Sequence, residues 1–187
     1  GLVFSSETCA LDVVRAKFLR EIKPGEILFL GKKINRFFYP SKKHAQCIFE
    51  LVYFSRPDSI TFSENVSQIR RALGRELAKN YPVEADVIMA VPDSSNSTAL
   101  GYSEESKIPF TFGLIRSHYV GRTFIEPFQQ IRDLKVRLKF NPDRFELKGK
   151  KVVIVDDSIV RATTLRKLVR MIRGAGAKQI YVRISCP

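Results

Sequence analysis

The strongest constraint on this chain lies near its C-terminal end. Residues 151–155 (KVVIV) are a short, almost wholly apolar run, as expected of a strand covered on both faces. Asp156, Asp157 and Ser158 follow at its carboxyl end. Leu165, Leu168, Val169 and Ile172 then recur at spacings that put them on one face of a helix. Gly174 and Gly176 close that helix, and residues 179–184 read as the next strand. A strand, a helix and a strand in this order make a βαβ unit, whose two strands run parallel. The alternation extends upstream. Val66, Ile69, Leu73 and Leu77 mark a helix over 63–80, with Ser63 as its cap, Pro82 as its stop, and Arg70, Arg71, Arg75 and Lys79 on the other face. Residues 86–91 read as a buried strand, 97–106 as a helix and 110–115 as a further strand. The expected fold class is α/β, a Rossmann-like parallel sheet with helices on both faces. Ligands of such sheets bind beyond the carboxyl ends of the strands.

The rest of the chain is less regular. Residues 2–4 and 26–30 read as short strands, the second behind a Pro24-Gly25 turn. Residues 31–46, rich in Lys, Arg and Asn, read as a connector, which places a domain division between 1–45 and 46–187. Residues 116–150 are basic, read as irregular, and are too long for an ordinary connection. The chain carries 32 Lys and Arg against 19 Asp and Glu, a net charge of +13, so anionic ligands are the class to consider. No apolar run approaches the roughly 20 residues of a spanning helix, and no signal peptide is visible. A cytoplasmic chain with no membrane partner is expected. Cys9, Cys47 and Cys186 fit neither a zinc spacing nor a disulfide framework, and read as small, partly buried thiols.

The chemistry concentrates after the strand at 151–155. Two adjacent carboxylates, Asp156 and Asp157, repel each other and suit a partner that supplies cations or hydroxyls. At a strand end they can hold a sugar diol or, directly or through water, Mg²⁺. Ser158, Ile159, Val160, Arg161, Ala162, Thr163 and Thr164 then lead into a helix N-terminus, where free N–H groups favour a phosphate. A solvated turn before a capped helix is the bland alternative.

This nonapeptide resembles the phosphoribosyl-pyrophosphate (PRPP) signature of type I phosphoribosyltransferases. Residues 6–12, 50–59, 91–94, 119–125 and 174–178 extend the resemblance, in order, to the glutamine PRPP amidotransferase family, transferase half only. The resemblance implies that Asp156 and Asp157 contact ribose hydroxyls and the Mg²⁺ region, and that Ser158 through Thr164 hold the 5′-phosphate. It assigns Asp93, Ser94 and Ser95 to the pyrophosphate loop and Ser94, with Asp156 and Asp157, to the metal. It makes residues of about 115–140 a lid, in which Arg116, Tyr119 and Arg122 take the catalytic roles. His118, in the same segment, reads as an exposed bystander.

The implied reaction joins ammonia to C1 of PRPP, giving 5-phosphoribosylamine and pyrophosphate in the first step of de novo purine synthesis. Residues 1–30 look like the last strands of the family's glutaminase domain. No N-terminal cysteine nucleophile is present, so ammonia, or a separate glutaminase subunit, is expected in place of glutamine. Cys47 matches the first of four iron–sulfur ligands found in some members, and no complete cluster is expected. A homo-oligomer is expected and nucleic acid is not. A non-catalytic PRPP-binding regulator, or a nucleic-acid-binding protein of the same fold, is the alternative. Ala162 stands where the family has Gly; it fits without strain only if its φ is negative. Arg116, Ser117 and His118 replace a more usual Lys-Asn-Arg.

Overall fold

A computed structural model of the chain describes residues 1–39, 45–118 and 136–186. Two compact units divide it, Gly1–Val66 and Ser67–Pro187.

The first unit contains helix α1 (Thr8–Val13), the hairpin β1 (Glu26–Leu30) and β2 (Ile34–Phe38), a π-helical turn at Glu50–Phe54, and the two-residue strands β3 (Ile60–Thr61) and β4 (Glu64–Asn65). The Glu7 carboxylate ties its distant parts together by accepting from Arg56 N at 2.7 Å and Ser59 Oγ at 2.9 Å. The segment 26–30 is a strand as expected, whereas residues 2–4 form none and are exposed. The expected connector 31–46 contains β2. Its apolar residues Ile34, Phe37 and Phe38 alternate too little to stand out among Lys and Asn, but β1 supplies a full antiparallel partner.

The second unit is built on the parallel sheet β5–β8–β9. Its strands are β5 (Val87–Ala90), β8 (Lys151–Asp156) and β9 (Gln179–Ile184). Side chains of β5 and β8 alternate between two buried faces, as the period of 2 requires. Val87, Met89, Val152 and Ile154 pack with Leu168 and Ile172 of the helix Thr163–Gly174 (α5). Ile88, Ala90, Val153 and Val155 pack with Ala78 of α2 (Val66–Asn80) and with Ala99 and Tyr102 of α3 (Asn96–Ser106). The fold is the expected three-layer α/β arrangement.

Three expectations need correction. Ser63 lies in the β3–β4 turn at φ +65°, and α2 starts at Val66, three residues further on, so Ser63 is not its cap. Residues 110–115 do not form one strand: Phe110 makes a single parallel bridge to Ile88, and the chain then leaves β5 so that β6 (Leu114–Arg116) pairs antiparallel with β7 (Phe140–Pro142). The part of 116–150 after 135 is regular, with helical residues 136–139, β7 and α4 (Arg144–Leu147). Asp143 caps α4 by accepting from Phe145 N and Glu146 N. Among the described residues no helix is long and apolar enough to cross a membrane.

The buried stripe of α2 also differs from the expected one. Val66, Arg70, Gly74 and Ala78 are its most buried residues, and Arg70, expected on the polar face, is 1% exposed. The reason is a backbone-to-backbone crossing. A Cβ on Gly74 would collide with the Thr98 carbonyl, and one on Gly101 with the Arg71 carbonyl. Gly101→Ala is therefore expected to lower stability by about 1–3 kcal/mol in urea unfolding. Gly174→Ala, whose new methyl meets nothing within 4 Å, is the control and should be neutral or slightly stabilising.

Candidate functional site

Because β5 and β8 are hydrogen-bonded neighbours running the same way, the loops that follow them open at the same edge of the sheet. The loop after β5 carries Asp93, Ser94 and Ser95; the loop after β8 carries Asp157 through Ala162. Hydroxyls of the first hold carboxylates of the second. Ser94 Oγ donates to Asp157 Oδ2, and Ser95 Oγ donates to Asp156 Oδ1 at 3.3 Å. Asp156 Oδ1 also accepts from Asp157 N at 2.9 Å, and Asp157 Oδ1 accepts from Ser158 Oγ at 2.8 Å. The chain after β9 secures the pair from behind: Ser185 N donates to Asp156 O and Cys186 N to Asp157 O.

Asp157 is buried at 6% exposure, and Ser95 is fully buried. Burial pushes the Asp156 carboxyl up to about 6, and the adjacent Asp157 charge adds to the effect. Keeping two acids here disfavours folding and suits a site whose ligand brings positive charge or hydroxyls.

The other half of the site is a cavity of about 260 Å³ lined by Asp156 and by residues 158–165. It sits over the first turn of α5. Ala162, the residue before that turn, offers no side-chain acceptor to the helix amides, which leaves them for an anion. Ala162 has φ +53° and ψ 6°, so the condition for an unstrained alanine is not met. Ile159 and Val160 are exposed, Val160 at 87%.

The structure thus brings together Ser94, Ser95, Asp156 and Asp157, with Ser158 through Thr164 beside them. Asp93 is exposed in the same loop and pairs with the Arg116 guanidinium from β6. That ion pair had no sequence signal, since it joins residues on separate elements. Tyr119 and Arg122 lie outside the described residues. His118 is exposed. Cys9 and Cys186 are buried, but Cys47 is exposed, unlike the partly buried thiol expected there. No group of three His, Cys, Asp or Glu side chains converges among the described residues. Mg²⁺ does not need one: it binds through one or two carboxylates, waters and substrate oxygens. Asp156, Asp157 and Ser94 fit that mode.

Residues 58–186 match the phosphoribosyl transferase domain family. The chain belongs to that family. It is also 54% identical to amidophosphoribosyltransferase 1, chloroplastic, of Arabidopsis thaliana, covering all of this chain and 33% of that protein. To the amidophosphoribosyltransferase of Rhizobium etli it is 50% identical, over 99% of this chain and 39% of the other. The chain therefore spans between a third and two fifths of the length of these relatives. It superposes on a structure of the allosteric regulatory enzyme of purine biosynthesis with a TM-score of 0.89 and 49% identity, covering 97% of this chain and 40% of that one. The corresponding TM-score for glutamine PRPP amidotransferase from B. subtilis, complexed with ADP and GMP, is 0.87, at the same identity and coverages.

Two outcomes follow from the geometry. Folded Asp156 keeps its proton up to about pH 6, whereas the unfolded carboxyl loses it near its ordinary value of 3.8. The native state binds more protons in that window, so stability falls as pH rises through it. Asp156→Asn should remove this slope and raise stability at neutral pH by on the order of 2–3 kcal/mol, measured by urea unfolding at pH 4 and pH 7. Ala162→Gly relieves the left-handed alanine and should stabilise the fold by about 0.5–1 kcal/mol in the same assay.

Proposed function

We propose that the transferase domain makes 5-phosphoribosylamine and pyrophosphate from PRPP and ammonia. The observation that carries this reading is the pair Asp156–Asp157, held by Ser94 and Ser95, with Asp156 lining the cavity at the start of α5. The pair supplies acceptors for the ribose diol. Backbone N–H groups and the hydroxyls of Ser158, Thr163 and Thr164 supply donors for the 5′-phosphate. Ser94, Asp156 and Asp157 would hold Mg²⁺, which supplies charge neutralisation for the pyrophosphate.

In the reaction the C1–O bond to pyrophosphate breaks and a C1–N bond forms, and the ammonium nitrogen releases a proton to solvent. Neutral ammonia is already a nucleophile, so the protein's task is to position it and to stabilise the departing charge. Arg116 stands at the pyrophosphate loop for that task, and Tyr119 and Arg122 complete the assignment. Ammonia is the nitrogen donor in this reading. The reading also carries a homo-oligomer and no nucleic-acid ligand.

Pyrophosphate release from PRPP with Mg²⁺ tests it, comparing an ammonium salt at alkaline pH, glutamine at the same pH and an amine-free blank. Release with ammonium alone is the expected result. Asp157→Asn should lower turnover by roughly 100-fold with an unchanged circular-dichroism spectrum. PRPP that binds without turnover would favour a regulator, and absence of binding would remove both readings.

A further inference from the structure

A second cavity, of about 450 Å³, lies along the same helix as the first but shares no lining residue with it. Lys167, Arg170, Met171 and Gly174 line it from one stripe of α5. Arg144 reaches it from α4, and Arg137 from the helical residues before β7. Its wall is firm, because Phe140 and Ala175 are buried members of the core beneath.

Its charge is one-sided. Arg137, Arg144, Lys167 and Arg170 line it, and among the described residues no carboxylate does. Among the described residues Arg137, Arg144 and Arg170 enter no ion pair, whereas Lys150 nearby in sequence is paired with Glu146. Four cations brought to one concavity repel one another, in a chain already at +13. A bound anion reverses that repulsion, and guanidinium forks match phosphoryl oxygens in geometry as well as charge. The cavity is also in the range of small-molecule sites, about 300–1,000 Å³, and larger than one phosphate fills. What remains is bounded by Phe140, Pro142 and Met171, which offer contact to an apolar or aromatic group. Gly174 leaves that part open, since a Cβ there meets nothing within 4 Å.

We propose that this cavity is a second ligand site, for a small phosphorylated compound with an apolar or aromatic portion. The phosphoryl group sits among Arg137, Arg144, Lys167 and Arg170, and the organic portion lies over Phe140 and Met171. The site does not depend on the reaction assigned above and can stand if that assignment fails.

Calorimetric titration of the full chain with phenyl phosphate, and separately with inorganic phosphate, tests it. Phenyl phosphate is expected to bind more tightly than inorganic phosphate, and more weakly as salt is added. The charge reversals Arg144→Glu and Arg170→Glu together should weaken phenyl phosphate at least roughly tenfold, while Asp157→Asn does not. Gly174→Leu keeps all four cations and fills the open part. It should abolish the preference for phenyl phosphate, and it decides the matter if the double variant does not fold. Equal affinity for the two probes would overturn the proposal. So would phenyl phosphate binding that Asp157→Asn abolishes and the Arg variants leave intact, or binding of an RNA oligonucleotide but of neither small probe.

Discussion

Two strands that are adjacent and parallel set everything else in the second unit. Had β5 and β8 been antiparallel, their following loops would leave the sheet at opposite edges. In register, Val87 opposite Val152 and Ala90 opposite Val155, they deliver Ser94 and Ser95 within hydrogen-bond reach of Asp157 and Asp156. Residues some sixty positions apart in sequence become neighbours without any loop having to span the distance. Both faces of the sheet are covered here, which is why the paired residues are apolar at every position of this ladder.

The site is held together against its own chemistry. Asp156 is half-buried next to a second, buried carboxylate, and Ala162 takes a left-handed backbone that suits glycine. Both features disfavour the folded state. They are compensated by the two buried faces of the sheet, where Ile88, Met89 and Val152 through Val155 are fully or almost fully removed from water. Strain gathered at one edge of a well-packed sheet is how such folds keep an unstable cluster of groups in place.

Much of this was legible in the sequence. The unit 151–184 read correctly because its strands are apolar throughout and its helix has one clean face. Its helix ends at Gly174 and its second strand spans Gln179–Ile184, as the sequence pattern puts them. Asp156 and Asp157 stood out because two adjacent acids at the end of an apolar run are costly to hold unless a ligand uses them. What stayed hidden depends on contacts between elements. Arg70 looked like a surface charge until the close crossing at Gly74 turned that side of α2 inward. The ion pair of Arg116 with Asp93 and the four cations of the second cavity come from elements that no local pattern links. β2 was missed because its polar neighbours obscured it, and Ala162 announced a departure whose φ only the backbone could supply.

The glycine crossing of α2 and α3 has a mechanical consequence. Where two helices touch through side chains, the side chains set the distance between their axes. At Gly74 and Gly101 no side chain intervenes, because carbonyls of each helix fill the place of a Cβ on the other. The helices therefore meet backbone to backbone at this crossing. α3 starts at Asn96, directly after Ser95, so its N-terminal end is also the anchor of the hydroxyls that steady the two carboxylates. Neither glycine can gain a side chain without one helix shifting against the other, so the crossing ties the sequence of α2 to the place where those hydroxyls begin.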